Sequence, residues 1–567
     1  MRVGLQGRIF QGTLLALFLI VPFYSSDNIG GTGLTLTYNI PVWLIASWIM
    51  AAGLSVISIK QSFAHPKLWF FFVLFPSIVI VSSLMSDGSQ SITWLFRQFY
   101  ILGGLVFLFA LFQFSVKQKS IDDILFVLVL ATGLHALIGT LQTLGFEDLT
   151  FWIPSKDFVP RGNFQQINVQ VSFLVTGLIT SLYLISRPGF RKRSTLTKLV
   201  VMVSFGLATY VIIASGSRVG LLAMFLGVPL VLWSRYHQLK HHKELLTIIC
   251  IIACTAIVAG QAGLHRTLDK ASTLSEKSYS TARVAMYTIG LELVAKEPVY
   301  GTGIGSFRRV WNKQSSDFVV RHPETVLPQS VGHPHNEILF WMIEGGISVV
   351  LGIFAVIIGI ILALKQCGFQ RGGAYAAMLL PISLHTQVEL PFYISAVHWF
   401  LWLFLIYLVL RHQTKIVEIN ISKAATRLLQ IVAIVFAFSA TIFMVNTTRA
   451  QTDLYHFLYD KNVQPPYLQL ALNNIYFKPM AEQVAMRSML YASIENNDRA
   501  RVKIFETWAQ EYVEINPELK MYEDLISASV FLRPEGKGCD VIKEGLTMYA
   551  HNKPLQQAYK DNCPMQD

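Results

Sequence analysis

The chain has 567 residues, of which 53% are hydrophobic and only 14% are charged. Soluble globular proteins carry about 25% charged residues, so this composition excludes an ordinary soluble protein. The length excludes a small disulfide scaffold, and the five cysteines follow no CxxC or metal-ligand spacing. A net charge of +12 suggests a nucleic-acid partner in a soluble protein, but in a membrane protein it indicates basic cytoplasmic loops.

Thirteen apolar segments have about the 20-residue length that a membrane-spanning helix needs. The first of them lacks the small-residue cleavage site of a signal peptide, so we predict that it is retained as a helix. The two shortest segments, 219–234 and 373–388, have the weakest sequence signal for a spanning helix. The predicted spans are 9–25, 41–59, 68–85, 94–115, 123–145, 169–187, 198–215, 219–234, 244–262, 340–364, 373–388, 393–411 and 427–445.

The distribution of lysine and arginine predicts the orientation. With the N-terminus inside, the inner loops hold 20 basic residues and the short outer loops hold 3. This bias predicts an N-terminus inside and a C-terminus outside. The net charge is then a signal of topology, and we expect no nucleic-acid partner. We predict a transmembrane domain over 1–445, which includes a large outer loop at 263–335, and an outer domain over 446–567.

The outer tail reads as helices near 480–496, 499–515, 519–531 and 539–551. Pro534, Gly536 and Gly538 mark a break before the last of these. Val502, Ile504, Phe505 and Trp508 recur at helical spacing and are expected to form a buried face. Cys539 and Cys563 lie in the predicted oxidising compartment. The sequence does not decide between a disulfide and two free thiols.

Polar residues lie in clusters at the outer ends of particular helices. A charged group close to lipid costs free energy unless it is paired, so these residues are candidates for function. The first cluster enters the sixth span and contains Arg161, Asn163, Gln166 and Asn168. Its amides offer paired donors and acceptors that suit sugar hydroxyls or a diphosphate. A helix cap formed by Asn163, with the other amides solvated, explains the same residues equally well.

The second and third clusters contain outer arginines. Arg218 follows Ser217 in a tight turn, where its guanidinium can grip phosphate oxygens or simply snorkel to the surface. Arg283 opens an amphipathic stretch of the outer loop, and the run GTGIGSF follows at 301–307. No strand precedes this run and no GK[ST] ends it, so a tight turn that packs the loop is expected rather than a nucleotide-binding loop.

The fourth and fifth clusters contain histidines and carboxylates. His333, His335 and Asn336 precede Glu344 at the start of the tenth span. An outer histidine can take a proton from a hydroxyl near neutral pH, whereas a metal site lacks an obvious third ligand. The fifth cluster, in the turn after the eleventh span, runs from His385 to Tyr393 and includes Glu389. Arg97, inside the fourth span, needs either an ion-pair partner or a substrate contact.

Taken in this order, the clusters resemble the membrane glycosyltransferase superfamily of O-antigen ligases, Wzy-type polymerases and bacterial protein O-oligosaccharyltransferases. The resemblance is closest to the PglL-like O-oligosaccharyltransferases and spans roughly 160–400. The chain departs from that branch at Leu390, where a tyrosine is common, and at Gln165, where a glycine is common. The matching segments are GNFQQIN at 162–168, SR at 217–218, Arg283 with GTGIGSF at 301–307, HPHNEIL at 333–339 with Glu344 and Gly346, and ELPFY at 389–393.

The resemblance implies that His335 is the essential histidine and that Arg218 and Arg283 hold a lipid-linked pyrophosphate. It implies an inner-membrane enzyme of bacteria that uses an undecaprenyl-diphosphate-linked glycan as donor, with no metal and no other cofactor. The candidates for substrate binding are Arg161, Asn163, Gln166, Asn168, His333, Asn336, Glu344, Glu389 and Tyr393.

The acceptor hydroxyl is left open by these motifs. The helical tail favours a periplasmic protein, a pilin-like protein being one candidate. The alternatives are lipid A core, as in an O-antigen ligase, and a growing glycan, as in a polymerase. A transporter of lipid-linked glycan is the alternative of another class, but the chain shows no internal hydropathy repeat and its polar clusters lie away from the midplane.

Overall fold

The computed structural model describes residues 3–86, 92–150, 158–263, 278–323, 325, 327, 331–419, 421–460, 467–533, 538–550 and 552–563. Each of the thirteen predicted spans coincides with a helix. These helices are Gly4–Phe23, Asn39–Lys60, Trp69–Met85, Ile92–Gln113, Gln118–Thr143, Ile167–Ile185, Thr195–Ser215, Arg218–Ser234, Lys243–Ala259, Glu337–Gln366, Phe369–His385, Ala396–Leu410 and Lys423–Tyr459.

Nine helices among the described residues are long and apolar enough to cross a membrane. Trp69–Met85 and Arg218–Ser234 are shorter apolar helices, and Lys243–Ala259 and Phe369–His385 have the same 17-residue length. That length is close to the shortest that spans a hydrocarbon core of about 30 Å. The protein is an all-α polytopic membrane protein, as its hydropathy predicts.

A small antiparallel sheet joins two loops that are far apart in the sequence. Ser62–Pro66 pairs with Thr414–Glu418, in a register that sets Ser62 opposite Glu418 and Pro66 opposite Thr414. Hydropathy did not predict these strands, because both are short and flank spanning helices. Their pairing fixes the turn after the second span to the segment after the twelfth.

The chain divides into two compact units. The first comprises Met1–Leu74, Tyr100–Ser272 and Phe354–Tyr455, and the second comprises Phe75–Phe99, Thr273–Ile353 and His456–Asp567. Fully buried apolar side chains such as Leu125, Phe173, Ile179 and Phe404 form the core of the first unit. Adjacent helices there pack through apolar faces, as expected where backbone groups are satisfied within each helix.

The second unit joins the outer loop to the tail. The described part of the loop forms the helices Ser278–Lys296 and Phe307–Arg321. Asn312 of the second helix donates Nδ2–H to the carbonyl oxygen of Pro517 at 2.9 Å and to the hydroxyl of Tyr549 at 2.8 Å. Buried polar contacts of this kind fix the loop helix to the tail helices.

The tail helices are Lys478–Glu495, Arg499–Ile515, Leu519–Leu532, Cys539–Met548 and Lys553–Asn562, with a short turn of helix at Gln469–Leu472. The last helix and the short turn were not predicted. Val502 and Phe505 are fully buried and Trp508 is partly buried, as predicted, whereas Ile504 is 57% exposed. The prediction for Ile504 was wrong because, at 3.6 residues per turn, Ile504 lies about 160° around the helix from Val502 and about 100° from Phe505, which places it off the buried face.

A disulfide joins Cys539 to Cys563, with 5.4 Å between their Cα atoms. It connects the start of the helix Cys539–Met548 to the end of the helix Lys553–Asn562. Of the break predicted between the third and fourth tail helices, Pro534 and Gly536 lie outside the described residues. Gly538 has a φ of 67° and precedes the helix directly.

Candidate functional site

The amide-rich segment begins the helix Ile167–Ile185. The Gln166 side chain caps this helix by accepting the N–H of Val169 at 2.7 Å. Its Nε2–H donates to the carboxylate of Glu389 at 2.6 Å. The residue that caps the helix is therefore Gln166 and not Asn163. Gln166 also holds Glu389, a second candidate residue, and its contact with a substrate stays a prediction.

Glu389 lies in the turn between the helices Phe369–His385 and Pro391–Ile394. Its carboxylate is 3.1 Å from Nε2 of His385, whose Nδ1 is 2.9 Å from the hydroxyl of Ser172. Burial raises the pKa of Glu389, but hydrogen bonds from His385, Gln166 and Asn168 outweigh it and hold the pKa below its ordinary value. Glu389 is the centre of a polar network within the first unit.

Asn168 extends this network to the turn before Arg218. It donates to Glu389 and accepts a hydrogen bond from the Ser217 hydroxyl at 2.7 Å. Ser217 also caps the helix Arg218–Ser234, and Gly216 before it has a φ of 65°. The structure thus brings the first, second and fifth clusters together through side chains that sequence analysis considered separately.

Arg218 is the first residue of its helix and is exposed. Arg161 is partly exposed, and neither arginine forms an ion pair with another described residue of the chain. A guanidinium in such a position remains available to a diphosphate. Tyr393 stacks on Tyr100, with ring centroids 6.1 Å apart and an interplanar angle of 5°.

Asn163 is 1% exposed and donates to the carbonyl oxygen of Pro22. Beside it, Gly162 has a φ of 57°, and its N–H donates to Gln142 at 2.9 Å. Phe164 stacks on the buried His135 with 4.6 Å between ring centroids. In this conformation Asn163 anchors the segment inside the first unit instead of facing the surface.

The second unit holds the paired histidines. The ring centroids of His333 and His335 are 4.4 Å apart, and the N–H of His335 donates to Nδ1 of His333 at 3.2 Å. His335 has a φ of 54°, a left-handed conformation that is uncommon for residues other than glycine and clusters at functional sites. Asn336 then caps the helix Glu337–Gln366 by accepting the N–H of Leu339 at 2.9 Å.

Glu344, two turns into the same helix, is fully buried and paired with Arg97. One carboxylate oxygen also accepts the N–H of Phe307 at 3.0 Å, and the N–H of Gly305 donates to the carboxylate as well. The guanidinium of Arg97 lies 4.3 Å from the ring centroid of Phe340. Arg97 therefore has an ion-pair partner. The Glu344 carboxylate links its own helix to Arg97 and to the loop backbone at Gly305 and Phe307.

The glycine run 301–305 packs against a kink in that helix. The N–H of Gly303 donates to the carbonyl oxygen of Glu344 at 3.0 Å, and the N–H of Ile347 donates to that of Pro298 at 2.8 Å. A Cβ atom at Gly301 would lie 2.5 Å from the backbone of Gly346, which itself has a φ of 69°. The run is a tight packing turn, as expected, and not a phosphate-binding loop.

Arg283 lies in the helix Ser278–Lys296, where it is exposed and forms no ion pair with the described part of the chain. Within the described ranges, no three His, Cys, Asp or Glu side chains lie close enough to hold a metal ion. His385, the first residue of the fifth cluster, belongs to the polar network centred on Glu389 but was not predicted as a site residue. His385 ends its helix and Glu389 follows four residues later in the turn, and this short spacing of an imidazole and a carboxylate was the available signal.

Two parts of the chain match known protein families. Residues 203–355 match the family described as O-antigen ligase. Residues 374–563 match the family described as virulence factor membrane-bound polymerase, C-terminal. A comparison with curated proteins finds no significant match. The two family matches support the superfamily of O-antigen ligases and Wzy-type polymerases, and with it a glycosyl transfer reaction in a multi-pass membrane protein, but not the PglL-like branch in particular.

Proposed function

We propose that this protein transfers a glycan from an undecaprenyl-diphosphate carrier to a serine or threonine hydroxyl of a periplasmic protein. The observation that carries the proposal is the O-antigen ligase match over 203–355, because this interval contains Arg218, Arg283 and His335. The chain would act in a bacterial inner membrane, with its C-terminal tail in the periplasm. The 20-to-3 bias of basic residues supports that orientation.

The donor already carries its leaving group, since the anomeric carbon is bonded to a diphosphate. The role assigned to Arg218 and Arg283 is to stabilise the negative charge that develops on the departing diphosphate. Both are exposed and neither is engaged by a carboxylate of the described residues. Guanidinium groups of this kind bind phosphate oxygens in pairs and stabilise charge in the transition state.

His335 is assigned as the group that takes the proton of the acceptor hydroxyl. The hydrogen bond from its own N–H to His333 and the cap formed by Asn336 fix its backbone at the start of a long helix. An imidazole held there can act as a general base near neutral pH. The proton leaves the hydroxyl as its oxygen bonds to the anomeric carbon, and the bond to the diphosphate breaks.

A protein acceptor is favoured by the tail. Its helices bury their own apolar core, which includes Leu490, Phe505 and Tyr522, and they belong to the same compact unit as His335. Such a helical domain offers a surface on which a folded, pilin-like acceptor can dock. Lipid A core is the second candidate acceptor, favoured by the description of the match over 203–355, and a growing glycan is the third, favoured by the match over 374–563.

The test is mass spectrometry of periplasmic proteins and of lipopolysaccharide from cells with and without the gene. Loss of a glycan from protein alone supports the proposal. Loss from lipopolysaccharide alone identifies a ligase, and loss of glycan length without loss of attachment identifies a polymerase. Cells that lack the gene are then complemented with the wild type or with His335→Ala. Recovery of the glycan with the wild type alone separates the loss of catalysis from the loss of the protein itself.

A further inference from the structure

A basic cavity lies in the first unit, and none of the residues assigned to transfer lines it. Its volume is about 570 Å³, within the range of about 300–1,000 Å³ typical of small-molecule sites. The turn before the seventh span, the seventh span itself and the start of the ninth span all contribute to it. Its basic lining consists of Arg191, Lys198, Lys240, His241, His242 and Lys243.

The lining also holds one carboxylate, Glu244, against Arg191 and three lysines, so the cavity keeps an excess of positive charge. None of its lysines forms an ion pair with a described carboxylate, and Arg191 donates to the carbonyl oxygen of His241. Asp122 and Asp123 are paired with Arg187 and Arg193, which flank the turn that carries Arg191. Burial, Arg191 and His241 lower the pKa of His242, as expected in a positive environment.

Exposed apolar side chains continue from the cavity along its two flanking helices. Ile248, which lines the cavity, is 44% exposed, and Ile251 one turn further is 61% exposed. Leu199, next to Lys198 on the helix Thr195–Ser215, is 54% exposed. In spanning helices such side chains face the acyl chains of lipids, so the cavity lies where a head group and its chains are both accommodated.

A second cavity shows what a satisfied basic site looks like in the same unit. It has a volume of about 380 Å³ and is lined by Lys60 and Arg411. Lys60 donates to the carbonyl oxygen of Gln113 at 2.9 Å, and Arg411 donates to the side-chain oxygen of Gln118 at 2.8 Å. Its cations are bound by the protein itself, whereas the lysines of the larger cavity have no such contacts among the described residues.

We propose that the larger cavity binds the phosphate head group of an anionic phospholipid, whose acyl chains lie along Leu199, Ile248 and Ile251. Clusters of lysine and arginine between spanning helices bind such head groups. The loops and helix starts that line the cavity are ones that the charge bias assigns to the cytoplasmic side, whereas the residues assigned to transfer are predicted on the outer side. The bound lipid is therefore distinct from the glycan donor, and the inference does not depend on which acceptor the enzyme uses.

The test is native mass spectrometry of the full-length protein from nanodiscs that contain equal amounts of phosphatidylglycerol and phosphatidylcholine. The wild type is expected to retain one phosphatidylglycerol in preference to phosphatidylcholine. In the triple variant Lys198→Gln, Lys240→Gln, Lys243→Gln, the affinity for that lipid is expected to fall about 100-fold, at about 1 kcal/mol per basic residue. The control is Lys192→Gln, which removes an exposed charge from the same turn but outside the cavity lining.

Equal retention of the two lipids by the wild type would overturn the proposal, as would unchanged retention in the triple variant. Displacement of the lipid by millimolar inorganic phosphate would identify a site for free anions instead. If the triple variant does not fold, Lys240→Gln alone is expected to lower the affinity about 5-fold. Binding in the wild type is also expected to weaken as the salt concentration rises from 50 to 500 mM, because the Debye length then shortens from about 14 to about 4 Å.

Discussion

The buried pair of Arg97 and Glu344 gives the sharpest test of how the second unit is held together. In Glu344→Ala, Arg97 keeps its charge in a site where its side chain is only 15% exposed. The N–H groups of Gly305 and Phe307 lose their acceptor at the same time. Removing one partner of a buried ion pair costs about 3–5 kcal/mol, because the remaining charge stays desolvated.

For a unit of roughly 200 residues, each kcal/mol lowers Tm by about 2–4 °C, so Glu344→Ala is expected to lower it by about 6–20 °C. Glu344→Gln keeps an oxygen for the N–H of Phe307 and loses only the charge, so we expect a loss of about 1.5–3 kcal/mol. The double variant Arg97→Met, Glu344→Gln leaves no buried charge. It is therefore expected to lie closer to the wild type than Glu344→Ala.

The assay is thermal unfolding of the purified full-length protein in detergent, followed by tryptophan fluorescence. Glu297→Gln is the matched control, because Glu297 is an exposed carboxylate of the same unit and forms no ion pair among the described residues. Its effect is expected to stay within about 0.5 kcal/mol. A Tm of Glu344→Ala within about 2 °C of this control would correspond to a loss of no more than about 1 kcal/mol. In that case the pair does not hold the unit together.

Three further predictions address the site and the tail. His335→Ala is expected to abolish glycan transfer in membrane vesicles while membrane insertion stays normal; full activity would reject the assigned role. Replacing Cys539 and Cys563 with serine is expected to destabilise the tail by about 3 kcal/mol, measured as a lower Tm that no longer responds to reductant. Burial raises the pKa of Glu506, but hydrogen bonds from Arg533 and Lys503 outweigh it and hold the pKa below its ordinary value. Its stabilisation is therefore full above about pH 4.3 and lost as the pH falls through the folded-state pKa, so the difference in Tm between the wild type and Glu506→Gln should shrink in that range.

Hydropathy predicted the helices because lipid imposes their length and their apolar composition on each segment locally. The sheet between Ser62–Pro66 and Thr414–Glu418 has no such local signal, since its strands lie far apart in the chain. The helix Lys553–Asn562 did carry a signal, with Asn552 as its cap and Pro554 in its first turn. It was missed because its apolar residues are few.

The candidate site was predictable as a set of residue types but not as a set of contacts. Gln166, Asn168 and Glu389 stand out as polar groups at helix ends, yet their joining into one network depends on how three separate segments pack. His385 begins the fifth cluster but was not predicted as a site residue, because a buried histidine looks like a core residue until its partner is known. Arg97 posed the same problem, and only the fold identifies Glu344 as its partner.

The position of Glu344 explains why a structural residue lies inside a motif that resembles a catalytic one. His335 and Glu344 belong to one continuous segment, in which Asn336 caps the helix and Glu344 follows about two turns later. The carboxylate holds Arg97 on one side and the backbone of the glycine run on the other. These contacts fix the helix near its N-terminus, where Asn336 caps it directly after the left-handed backbone of His335. The proposed base and the residue that positions it are thus required at a fixed spacing, even though only the histidine would meet the substrate.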